Sequence, residues 1–99
     1  MDNMMKAIEE YISCEMRDEH PLVWAMSFTE LVPVLGPGWE VYNHMTGRYV
    51  YVFYAELGEP LDPKIEHLIC DAIRVGHDVR IVSTVAQFVA VVAEVEDAT

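Results

Sequence analysis

The stretch that most restricts this chain is 39–57, WEVYNHMTGRYVYVFYAEL, because it reads as a β-hairpin too apolar to stay wet. Tyr49, Tyr51, Phe53, Ala55 and Leu57 alternate with Val50, Val52, Tyr54 and Glu56, the two-residue period of a pleated strand. An antiparallel strand with one solvated face carries polar residues at alternate positions. Here both sets are largely apolar, so both sides of the second arm need cover. The first arm is expected over 39–43, and 43–47 supplies the turn, with Gly47 placed for a positive φ. A two-stranded hairpin is marginal alone in water, so the cover must come from the other segments or from another chain.

Upstream, Met5, Ile8, Ile12 and Met16 recur at helical spacing beside Met4 and Tyr11, which predicts an amphipathic helix over 3–17 with Asp2 or Asn3 as N-cap. His20 followed by Pro21 stops it. Over 22–35 two periods coexist: Leu22, Trp24, Met26 and Phe28 alternate, while Trp24, Phe28, Leu31 and Leu35 keep helical spacing. Pro21 at a first helical position and Glu30 in the pattern favour a second helix over 22–32, ended by Pro33, with a strand over 22–28 as the alternative. Gly36, Pro37 and Gly38 turn the chain into the hairpin.

Downstream, Asp62 followed by Pro63 is a helix start, Ile65, Leu68, Ile69, Ala72 and Ile73 form its apolar stripe, and Gly76 ends it. From Val79 the chain is dense in valine, which predicts two strands joined by a turn at 83–86. The alternative there is a helix from Val85 with Phe88, Val89 and Val92 inward. The expected fold is α+β: a single domain over 1–99 in the order α-α-β-β-α-β-β, about three helices packed on one face of a four-stranded, mostly antiparallel sheet made of two hairpins.

Charge narrows the function classes. Seventeen acids against six bases leave −11, yet 53 % of the residues are hydrophobic, so the chain folds and carries its acids outside. Such a field repels phosphate backbones and anionic lipid and attracts basic proteins. Direct nucleic-acid binding and membrane association are therefore not expected. Two cysteines, Cys14 and Cys70, make no disulfide framework, and the first residues lack the basic-then-apolar order of a signal peptide, so a reducing, cytoplasmic setting is expected.

Chemistry-bearing side chains concentrate at His67, Cys70 and Asp71, with His77 nearby, a set that suggests a metal- or thiol-dependent enzyme. One local cysteine falls short of a four-ligand site, and no nucleophile elbow or phosphate loop surrounds any candidate. The expectation is a protein without catalytic residues, metal or other cofactor. The acids remain: Glu9, Glu10, Glu15, Asp18 and Glu19 along the first helix, and Glu56, Glu59, Asp62 and Glu66 around the hairpin exit. An exposed aromatic such as Tyr42, Tyr51 or Tyr54 would anchor what charge alone only attracts, and Glu40, Tyr42, Tyr54 and Glu56 are expected to share one partly covered face.

In size, acidity and absence of a catalytic motif the chain resembles the small proteins with which phages and mobile elements block bacterial defence, among them anti-CRISPR proteins and DNA mimics. That resemblance implies a stoichiometric inhibitor of a complex with a basic nucleic-acid channel. An immunity protein or antitoxin against a basic toxin satisfies the same physics, and a homodimer pairing through the apolar strand is a further possibility for the hairpin.

Overall fold

A computed structural model describes residues 3–27 and 38–97. Its elements are α1 (Asn3–Cys14), α2 (Met16–Glu19), β1 (Val23–Ser27), β2 (Gly38–Asn43), β3 (Tyr49–Tyr54), α3 (Pro63–Arg74), β4 (Val79–Val82) and α4 (Val85–Glu96). The strands form one sheet in the order β1-β2-β3-β4. The first two pairings are antiparallel and the third is parallel. The α+β class and the four-stranded, mostly antiparallel sheet are as expected from the sequence.

Local chemistry explains the elements whose ends were anticipated. Asp62 accepts from the Lys64 N–H at 2.8 Å ahead of Pro63, which starts α3. Gly76, at φ +98°, takes the left-handed backbone that ends it. Gly47, at φ +79°, closes the β2–β3 turn, where its N–H donates to Asn43 at 2.8 Å. The first helix is shorter than the expected 3–17: it breaks at Glu15, and α2 resumes until His20, whose non-helical backbone precedes Pro21. Asp2 lies outside the described residues, and Asn3 is the first helical residue rather than a cap.

Two segments take the alternative state. Residues 23–27 are a strand, not part of a helix over 22–32, because five of them find register partners along β2 from Val23↔Asn43 to Ser27↔Trp39. The rest of that expected helix, with the turn at Gly36 and Pro37, lies outside the described residues. Residues 85–96 are a helix, not a strand, so no second hairpin forms. Thr84 caps it by accepting from Gln87 N–H at 3.1 Å, and the Gln87 side chain accepts from Ser83 N–H at 2.6 Å. Phe88, Val91, Val92 and Val95 then fall on one helical face, and all are buried.

The sheet has a packed face and an open face. On the packed face Val23, Trp39, Val41, Val50, Val52 and Val82 meet Ile8 and Tyr11 of α1, Met16 of α2 and the four buried residues of α4. Trp39 and Phe88 pack edge to face at 5.3 Å in its centre. The helices are not confined to this face. As the connection between the parallel strands β3 and β4, α3 crosses to the other side, where Phe53 and Ile69 form a small second cluster with Tyr51, Leu61, Ile65 and Val79 around it.

At one end Asn43, fully buried, clasps hairpin to helix. Its Oδ1 accepts from the N–H groups of Met45 and Thr46, and its Nδ2 donates to the Val95 and Glu96 carbonyls at the end of α4. His20 adds a 3.0 Å contact to Glu96 beside it.

Candidate protein-interaction surface

Because α3 covers only the β3–β4 half of the open face, the side chains that β1 and β2 send to that side have no helix above them among the described residues. Register decides which they are. Trp24 pairs with Tyr42 and Tyr42 with Tyr49, and in the adjoining row Met26 pairs with Glu40 and Glu40 with Tyr51. Side chains two apart on a strand share a face, so these six occupy one surface.

The rings form a continuous row. Trp24 meets His44 at 5.4 Å and Tyr42 at 5.8 Å; Tyr42 stacks on Tyr49 at 5.7 Å and 12°; Tyr49 meets Tyr51 at 5.3 Å, and Tyr51 meets His77 at 5.2 Å. Trp24 is 55 % exposed, Met26 44 % and Tyr49 39 %. Exposed apolar side chains in isolation are ordinary, whereas a contiguous aromatic row is a recognition feature.

Glu40 is the charged side chain that the described strands place on this face. Partial burial, then the neighbouring Glu40 carboxylate, raise the Tyr49 phenol above its ordinary range. The phenol therefore stays neutral beside Glu40. At the far end Arg48, with Tyr49, Tyr51 and His77, lines a shallow groove of about 420 Å³. Arg48 is engaged by Glu94 at 2.9 Å and Asp78 at 3.6 Å, and Arg80 bridges the same two acids at 2.8 and 3.0 Å. These guanidinium hydrogen bonds, Arg80 first, hold the Glu94 carboxyl below its ordinary range, and its bonds to Glu94 and Asp78 push the Arg80 guanidinium up.

The residues singled out from the sequence are only partly brought together. Glu40 and Tyr42 lie in the row. Tyr54 does not share their face: it pairs with Val82 and packs against the main core, and Glu56 lies beyond the end of β3. Tyr54, Glu56, Glu59 and Asp62 instead surround a separate groove of about 310 Å³. Glu66 is exposed on α3. Glu9 and Glu10 are exposed on α1, Glu15 at the helix break, and Asp18 and Glu19 on α2. Glu19 accepts from the Tyr11 hydroxyl, and burial together with that charge pushes the Tyr11 phenol up to about 12.

The expectation missed Trp24, Met26, His44 and Tyr49 as members of this surface, and singled out His77 only beside His67 and Cys70. The signal for the first two was the alternation of Trp24 and Met26 with Val23 and Ala25. On α3, His67 pairs with Asp71 at 3.3 Å with its ring 78 % exposed, while His77 packs on Tyr51 and Cys70 is exposed. Among the described residues no three His, Cys, Asp or Glu side chains group as metal ligands, and no helix is long and apolar enough to cross a membrane. Comparison of the chain with protein-family models, with curated proteins and with solved structures finds no match.

Proposed function

We propose that this chain is a non-enzymatic binding protein that occupies a basic surface of a nucleic-acid-handling protein or complex in the bacterial cytoplasm, a stoichiometric inhibitor of the anti-CRISPR or DNA-mimic kind. The observation that carries the reading is the exposed aromatic row with Glu40 in it, on a chain of net charge −11. Aromatic faces attract guanidinium and ammonium groups, and a fixed carboxylate among them adds a charge-assisted acceptor. Interfaces draw most of their binding energy from such aromatic anchors, while the surrounding charge speeds encounter. The acids of α1, α2 and the hairpin exit supply that field. An antitoxin for a basic toxin would use the same surface.

The test is capture from bacterial lysate by the wild-type chain and by a Trp24→Ser, Tyr42→Ser, Glu40→Lys variant. The expected partner is a basic nucleic-acid-binding protein, released by high salt, displaced by a DNA duplex and retained by the variant at roughly one-tenth of the wild-type level or less. Equal capture by the variant, or a partner indifferent to salt and DNA, would overturn the reading.

A further inference from the structure

The sheet ends in two edges of different character. β4 is four residues long and carries Arg80, held by Asp78 and Glu94, features that blunt an edge against pairing. β1, VWAMS, has no charge and no proline. Its hydrogen-bonding phase is set where His44 N–H donates to the Leu22 carbonyl, which makes Val23↔Asn43 a non-bonded pair. By alternation Trp24 and Met26 bond to β2, and the N–H and C=O of Ala25 point outward from the sheet, where the described residues give them no partner.

Among the described residues the space beyond that edge is a groove rather than a wall. Two adjoining cavities, of about 430 and 200 Å³, run between α1 and β1, and Ile12, Ser13 and Ala25 line both. Met16 contributes to the first and Trp39 to the second. Trp39 is 2 % exposed, and its indole N–H is buried without a hydrogen-bond partner among the described residues.

We infer that the β1 edge takes up an extended segment of the basic partner as a fifth strand, seated in the groove beside α1; this rests on the function proposed above. Alternation fixes the chemistry of the segment. Every second side chain enters the groove against Ile12, Met16 and Trp39 and is apolar. The side chains between lie beside Trp24 and Met26 on the open face, next to the Glu40 row, and are Lys or Arg. Charge selects this occupant over a second copy of the chain: although Arg17 and Glu9 both border the groove, β1 pairing with β1 would bring two molecules of charge −11 together.

The experiment titrates the full chain with a capped eight-residue peptide of alternating valine and lysine and follows backbone amides by NMR. The expected result is chemical-shift change along 23–27 and at least about tenfold slower exchange of the Ala25 N–H. Ala25→Pro removes that outward donor and leaves the bonds of Trp24 and Met26 to β2 in place, so it should weaken peptide binding about tenfold or more. Ser13→Trp fills the groove from α1, should do the same, and decides the matter if the proline variant fails to fold. Absence of peptide binding, or binding with Ala25 exchange unchanged and Ser13→Trp equal to wild type, overturns strand addition. Neither result touches the lysate capture that judges the wider reading. Ala25 protection that rises with protein concentration alone, with a doubled mass, would make the occupant a second copy and overturn the inference.

Discussion

The two faces of this sheet are built for different ends. On the packed face, α4 buries Phe88, Val91, Val92 and Val95 in one cluster with the sheet and α1. On the open face, α3 is the same twelve residues long but buries only Ile69, leaving Leu68 and Ile73 exposed. The first helix secures the fold. The second covers half of its face and leaves the aromatic row to solvent. Stability concentrated on one face frees the other to carry surface that packing would otherwise have consumed.

A matched pair of substitutions tests this division most severely. Phe88→Ala removes a fully buried ring from the centre of the packed face and should cost about 4–5 kcal/mol. Phe53→Ala on the open face, where the cluster is small and the site can relax, should cost nearer 3 kcal/mol. Urea unfolding of both variants reads the difference, and an equal or larger cost at Phe53 would break the contrast.

A smaller effect is expected at Glu94, which ties Arg48 of the hairpin turn and Arg80 of β4 to α4. Its carboxyl sits below the ordinary 4.5, so its contribution is complete above that pH and is lost as the pH falls through the lowered folded-state value. With the side chain 44 % exposed, solvent screening keeps Glu94→Gln to about 1 kcal/mol or less at neutral pH. Stability curves of the variant and wild type should converge in acid, and a difference that persists at pH 2–3 (about two units below an ordinary carboxylate) would assign the loss to packing. The smallest change belongs to the open face: Trp24→Ser with Met26→Ser should leave stability within about 0.5 kcal/mol while abolishing partner capture. Marked destabilisation would mean that these side chains serve the fold.

Much of the fold was legible where local chemistry has one solution. Asp62 with Pro63, Gly47 and Gly76 marked their boundaries because caps and positive φ angles admit few residues. The segments 23–27 and 85–96 were not, because apolar residues on both helical and alternate spacings satisfy either period. What decided them was a partner strand for the first and a cap for the second. The spacing of Thr84 and Gln87 was a readable start signal, outweighed by valine content. The surface was less legible than the fold. Tyr54 was grouped with Glu40 because residue parity within each arm was known, whereas the phase between arms depends on the pairing Tyr42↔Tyr49. One residue of slip exchanges the two faces.

The Asn43 clasp has a consequence for the order in which the molecule is made. Asn43 reaches across 52 positions to the carbonyl of Val95, and of the described elements α4 is the last to leave the ribosome. Until it arrives, β1, β2 and β3 present Val23, Val41, Val50 and Val52 without the helix that roofs them, and the Asn43 amide lacks its two acceptors. The packed face therefore cannot be completed before the last of the described elements has been made.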